Sequence, residues 1–314
     1  MTAEAAAEAG TDVEVVEYTD PLCPWAWGSE PAFRWLRAVL GGRGTWRRVY
    51  AILFDTGDDP APDPAAEAAW YGRYIAEVCG HTGAPHAERL DRVALTSWPA
   101  SLAARAAETQ GAEVAERVLR RLRESEFVLG APADTAARVQ ACLRGVHGLD
   151  VQRLRADAES AAVAASVHAD RAEARDPLPE VLGLDGPPPH PGGAKELDGG
   201  QRRYALPTLL LRGPGGCRVV PGWRPPQVYA EALRQVCPGP WEVPQRLSAD
   251  RALEIHRSLS VRELSLLTAD GPPPSRALRV ETAGGPLWLH PEEAAGHPAL
   301  LSGRPGDETP FGVH

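Results

Sequence analysis

Asp20-Pro21-Leu22-Cys23-Pro24-Trp25-Ala26-Trp27 is the stretch whose reading decides the fold. It separates two different periodicities. Before it, Val13 to Tyr18 (VEVVEY) places apolar residues on alternating sides, as a short strand does. Asp20 and Pro21 break that strand. After it, Trp27, Phe33, Trp35, Leu36, Val39 and Leu40 follow a helical pattern, which Gly41 and Gly42 end. Pro24 is tolerated near the helix start because its missing N–H would be unpaired there anyway. Trp46 to Phe54 (WRRVYAILF) reads as a second strand. A crossover of this length makes the two strands parallel. Cys23 therefore stands at the mouth of a helix, where unpaired N–H groups and the helix dipole favour an anion. The thiolate is the nucleophilic form of cysteine, and such positions lower its pKa to roughly 3.5–7.5. Cys23 is the expected nucleophile.

Outward from this unit the pattern changes. Asp58 to Pro64 is a Pro/Asp loop, followed by amphipathic segments at Ala103 to Thr109, Glu113 to Phe127, Thr135 to Arg144 and Val151 to Ala174. Residues 176–200 are rich in Pro and Gly and read as a loop or lid. Strands then return at Leu206 to Arg212 and Cys217 to Val220, around Gly213-Pro214-Gly215-Gly216. Pro225 to Val236 closes the set as a helix. The expected order is β-α-β, a helical insertion, then β-β-α. The tail predicts two short helices (Ala249 to Ser258, Val261 to Thr268) and a hairpin over Leu278 to Leu289.

Composition narrows the function. The 314 residues are 43% hydrophobic and 24% charged, as in an ordinary globular protein. No run of about 18 apolar residues is present, which argues against a transmembrane helix. The net charge of -9 argues against a general polyanion binder or a basic membrane-surface protein. Lys195 is the single lysine, so Schiff-base chemistry has little to work with. The first twelve residues lack a signal-peptide pattern, so a cytoplasmic location is expected. Cys23, Cys79, Cys142, Cys217 and Cys237 are odd in number and lack C-x-x-C spacing, so neither a disulfide framework nor a zinc ribbon is expected. His81 and His86 have no carboxylate at metal-ligand spacing and are expected as surface loop residues; no metal site is expected. Nucleotide-binding glycine motifs are absent.

Cys23-Pro24-Trp25 after the first strand, with this element order, resembles the DsbA-like thioredoxin-fold superfamily. That grouping also takes in mycothiol-dependent reductases, kappa-class glutathione transferases and 2-hydroxychromene-2-carboxylate isomerases. Arg203-Tyr204-Ala205-Leu206-Pro207-Thr208 and Gly222-Trp223-Arg224-Pro225 support the resemblance, as does Trp98-Pro99-Ala100-Ser101 at the entry to the insertion. It covers about residues 13 to 237. The resemblance implies an α/β thioredoxin fold with a large all-α insertion and a small C-terminal α+β tail. It also implies a cis peptide bond at Leu206–Pro207 beside the Cys23 sulfur. Pro24, Trp25, Trp27, Leu206, Pro207 and Thr208 would line the substrate or cofactor site. Tyr204, Arg203 and Arg224 are weaker candidates, for the carboxylate of a thiol cofactor.

The family usually carries C-P-W-C, and Ala26 stands at the fourth position here. Cys23 then has no resolving thiol within the motif, and exchange must finish on another thiol. Cys79 and Cys142 are minor candidates for that role. The leading expectation is an enzyme: a thiol-dependent oxidoreductase with an external low-molecular-weight thiol, mycothiol or glutathione, as co-substrate and no tightly bound cofactor. A transferase or isomerase of the kappa-class kind is the first alternative. A non-catalytic thioredoxin-like binding scaffold is the second. The expected division is a 1–12 disordered start, a thioredoxin-like domain of 13–64 and 201–240, the insertion 65–175 and the loop 176–200. A winged-helix-like unit of 246–300 and a flexible 301–314 follow. The tail holds seven arginines against nine carboxylates, so it is expected to pack or to form a homodimer and not to bind nucleic acid. No membrane partner is expected.

Overall fold

The structure, a computed structural model, describes residues 13–55, 62–184, 190 and 192–301. The expected terminal segments 1–12 and 302–314 lie outside the described residues. Two compact units are present: Met1–Ala51 with Ala169–Gln245, and Ile52–His168 with Arg246–His314.

The chain enters on β1 (Val13–Thr19), turns into α1 (Pro24–Leu40) and returns on β2 (Gly44–Tyr50). Strands β1 and β2 are parallel, with Glu17 opposite Arg48. Gly41 stops α1 at a φ of 55°, its N–H donating to the Arg37 carbonyl. Next come α2 (Pro64–Thr82), α3 (Trp98–Ala107), α4 (Ala112–Phe127), α5 (Ala136–Cys142), α6 (Val151–Ala158) and α7 (Ala161–Ala174). Helix α2 has no counterpart in the expected segments, because its Ala-rich first half carries little periodicity. Asp63 caps it by accepting from the Ala66 N–H. The single segment expected over Val151 to Ala174 is two helices. Ser160 divides them, its hydroxyl accepting from the Val163 N–H at 3.2 Å.

The stretch 176–200 is not merely a loop. It holds α8 (Pro179–Leu182) and β3 (Ala194–Glu196), and β3 pairs antiparallel with β4 (Arg202–Tyr204). Lys195 and Glu196 supply the strand, and the flanking glycines take the turns. Then come β5 (Thr208–Gly213), β6 (Gly216–Pro221) and α9 (Pro226–Val236). The four-stranded sheet runs β2-β1-β5-β6, with β5 antiparallel to both neighbours. One face packs Val13, Val15, Leu209, Leu211 and Val220 against Phe33 and Leu36 of α1 and Tyr229 and Leu233 of α9. Tyr204 stacks on Tyr18, ring centroids 3.8 Å apart. This is the expected thioredoxin order.

The tail forms α10 (Ala249–His256), β7 (Ser258–Ser260), α11 (Val261–Leu267), β8 (Leu278–Val280), β9 (Leu287–Leu289), α12 (Pro291–Ala294) and α13 (Pro298–Leu301). The hairpin β8–β9 is present, but β7 joins it to give a sheet of order β7-β9-β8. The expected separate accessory unit is instead part of the helical one. The reason is a buried charge network. Arg120 on α4 holds both carboxylate oxygens of Glu263, at 2.9 and 3.0 Å, and Arg121 pairs with Glu293. His297 meets Glu124 at 3.1 Å. Among the described residues no helix is long and apolar enough to cross a membrane.

Candidate active site

The site starts where β1 hands over to α1. Asp20 accepts the Leu22 N–H at 2.8 Å, which fixes the turn. Cys23 is the residue before the first helical turn, with Pro24 inside it. The Cys23 thiol is buried, 3% exposed, and donates to the Leu206 carbonyl at an Sγ–O distance of 3.7 Å. The Leu206–Pro207 peptide bond is cis. The Pro207 carbonyl accepts the Gly222 N–H at 2.7 Å, which ties the start of β5 to the turn before α9.

The helix mouth does not produce the expected thiolate. Burial pushes the Cys23 thiol up to about 11, and the Asp20 carboxylate adds to that rise. The Ala26 and Trp25 N–H groups and the Arg203 guanidinium pull the other way without overcoming it. The sequence shows the helix start but not the depth at which the sulfur is enclosed, and desolvation outweighs the backbone donors here.

The other expected site residues divide. Leu206 meets the thiol through its carbonyl, and Pro207 follows it across the cis bond. Trp25 is buried and its ring packs T-shaped against that of His190, centroids 5.3 Å apart. Trp27 is enclosed at 1% exposure, and Pro24 is buried in the first turn. The Thr208 hydroxyl donates to the Ala205 carbonyl at 2.6 Å, so it serves the turn before β5. Tyr204 is also committed, since its hydroxyl accepts from the Leu178 N–H at 3.0 Å. Arg203 donates to the Tyr204 carbonyl and Arg224 to the Trp223 carbonyl.

His190 is the functional-site residue that the sequence reading missed. It is 2% exposed, and its Nε2 lies 2.9 Å from the Leu206 carbonyl oxygen, the acceptor used by the thiol. A carbonyl can only accept, so Nε2 carries the hydrogen and Nδ1 is bare. Burial lowers His190 to about 4, so the ring is neutral at ordinary pH. Its only signal in the sequence is one histidine inside a Pro/Gly run upstream of the Leu206-Pro207 motif.

Five cysteines are free among the described residues. Cys79 and Cys142 are buried in the helical unit and both pushed up to about 12 by burial. Cys142 donates to the Val139 carbonyl at 3.3 Å. Cys237 belongs to the sheet core, and Cys217 is exposed on β6. Among the described residues no group of three His, Cys, Asp or Glu side chains is placed to hold a metal.

A thiol at a helix start, set against the carbonyl before a cis-proline on this sheet, is the arrangement of a thioredoxin-fold protein. The comparisons agree. A thioredoxin family profile matches residues 17–177, just over half the sequence, and the chain belongs to that family. Two curated relatives are ClpXP adapter proteins SpxH. The one from Shouchella clausii is 30% identical over 172 residues, 54% of this chain and 55% of that protein. The one from Halalkalibacterium halodurans is 28% identical over 163 residues, 50% and 53% respectively. The chain thus spans about half the length of the curated relatives it matches. Among solved structures, a candidate protein disulfide isomerase from Nitrosomonas europaea aligns with a TM-score of 0.52 at 16% identity, covering 72% of this chain and 95% of that one. A candidate DsbA oxidoreductase from Streptomyces coelicolor aligns at 0.50 and 20% identity, covering 73% and 93%. At these identities the structural likeness speaks for the fold.

Proposed function

We propose that the protein is a monothiol oxidoreductase that acts through Cys23. The observation that carries this reading is the Cys23 sulfur set on the Leu206 carbonyl at the cis bond, with Ala26 in place of a second thiol. Cys23 attacks one sulfur of a substrate disulfide RS–SR′. A Cys23–SR bond forms, the S–S bond breaks, and the thiol proton ends on the leaving R′SH. A second, small thiol then attacks the Cys23-bound sulfur, releases RS–SR″ and returns the Cys23 thiol. Electrons come from the external thiol, since the chain supplies one sulfur to the exchange. Glutathione and mycothiol are the chemical class we assign to that co-substrate, with nothing else bound tightly. The five free thiols favour a reducing, cytoplasmic setting.

A second reading has its own support. The curated relatives are named as adapter proteins, and the sealed, protonated thiol suits a chain that binds without turning over. The two separate in one assay. Because Cys217 is exposed, Cys217→Ser is the background, and the reduced protein is mixed with glutathione and a glutathionylated peptide. Turnover that vanishes in Cys23→Ser is the expected result. Equal turnover with and without Cys23 sinks the oxidoreductase reading, and no turnover in either protein leaves the scaffold.

A further inference from the structure

The Leu206 carbonyl oxygen has two lone pairs, and both are engaged. One takes the Cys23 S–H, the other the His190 Nε2–H at 2.9 Å. The ring is held from two sides. Trp25 meets it edge-on, and Gly222 approaches so closely that a Cβ there would lie 2.3 Å from Nδ1. Nδ1 is buried and has no hydrogen-bond partner among the described residues. Among the described residues the ring's side-chain hydrogen bond goes to the Leu206 carbonyl.

Consider what happens when Cys23 reacts. The S–H donor disappears, and a thiolate or disulfide sulfur faces the Leu206 oxygen, acceptor against acceptor. A buried carbonyl that loses a donor either turns away or finds another. His190 prevents the turn, because its own bond holds the oxygen in place. The vacated lone pair is then open to a donor brought by the substrate. A backbone N–H next to the attacked sulfur is such a donor.

We propose that His190 is a positioning residue that keeps the Leu206 carbonyl aimed at the reacting sulfur, so that the site prefers disulfides flanked by an amide N–H over disulfides without one. This rests on the assignment of Cys23 as the reacting thiol. The neutral ring suits the task, since its donor stays in place across the pH range of thiol exchange.

The test uses the Cys217→Ser background and two oxidants: a cystine-containing peptide, which offers amide N–H groups, and dipyridyl disulfide, which offers none. Rates of mixed-disulfide formation at Cys23 are followed by mass and by released thiol. His190→Ala is expected to slow the peptide about tenfold, the effect of one lost hydrogen bond, and to change the dipyridyl rate less than threefold. His190→Gln, whose amide nitrogen stands where Nε2 stands, restores the peptide rate, and His190→Asn does not. Equal losses with both oxidants, or Gln and Asn behaving alike, overturn the proposal. The Gln and Asn pair decides the matter even where His190→Ala fails to fold. A wild-type protein that reacts with neither oxidant removes the Cys23 assignment and this inference with it. Peptide reaction unaffected by His190→Ala removes the inference alone.

Discussion

Two buried polar clusters in this chain solve the same problem in opposite ways. Around Cys23 the charged form loses: two backbone N–H groups and Arg203 do not offset enclosure, and the thiol keeps its proton. On α4 the charged form wins. Burial pushes Glu124 up, yet the His297 hydrogen bond and the Arg120 and Arg121 guanidinium groups hold it well below the usual carboxylate range. The difference is the number and kind of partners. Guanidinium groups aimed directly at a carboxylate outweigh desolvation, whereas peptide dipoles at a helix start do not. A buried group with only weak dipolar partners keeps its neutral form, and one saturated with charged partners keeps its charge.

Breaking the second cluster gives the largest expected effect. Arg120→Ala leaves Glu263 and Glu124 buried with a lost partner, which costs about 3–5 kcal/mol. Urea unfolding of the helical unit should show it, and a shift of the midpoint too small to measure would mean the network is not closed. Its pH dependence has a definite sign. Glu124 sits below its unfolded value, so its contribution is present above about pH 4.5 and is lost as the pH falls further.

A middle-sized effect belongs to Gly222→Ala. Gly222 has a φ of 74°, and an added Cβ meets the His190 ring. A destabilisation of about 1–3 kcal/mol is expected from the backbone alone. Peptide-disulfide reaction should fall with it while the dipyridyl reaction does not. A variant as stable as the parent would place His190 elsewhere.

The smallest effect sharpens the first cluster. Cys23 alkylation should follow a thiolate titration near 11, against an ordinary value of 9.0. Two pH units make the folded thiolate about a hundredfold scarcer than the unfolded one at neutral pH. Between these values the unfolded chain gives up a proton that the folded chain keeps, so this thiol's contribution to stability falls as the pH rises from about 9 to 11. Iodoacetamide mapping across pH 6 to 10 checks it, with Cys217, exposed on β6, as the internal reference. Fast labelling of Cys23 at pH 6 would return it to the thiolate class.

What was legible in the sequence was periodic or punctuated. The alternation of Val13 to Tyr18, the helical run after Cys23 and the glycines after Leu40 placed the first half of the sheet. The Leu206-Pro207 motif, read through its resemblance, placed the turn beside the thiol. What escaped depended on distance along the chain. His190 reaches Leu206 across 16 residues of a Pro/Gly run with no period to read. The tail's attachment rests on Arg120, Arg121 and Glu124, which look like a solvated helix face when counted as charges. Their partners lie 143, 172 and 173 residues further on. The thiol's proton escaped for a third reason: burial is a property of the assembled fold, and the motif carries only the local donors.

The threading of the two units has a consequence for synthesis. The unit that carries Cys23 is completed by residue 245, whereas the helical unit draws on residues from both sides of it and closes only with the tail. Domains fold as their residues emerge from the ribosome. The thiol-bearing half can therefore be assembled while α4 still lacks Glu263, Glu293 and His297. For the time needed to translate the last stretch, Arg120 and Arg121 are without these partners. A premature stop near Gln245 would yield a chain with the Cys23-bearing half complete and the helical half unfinished.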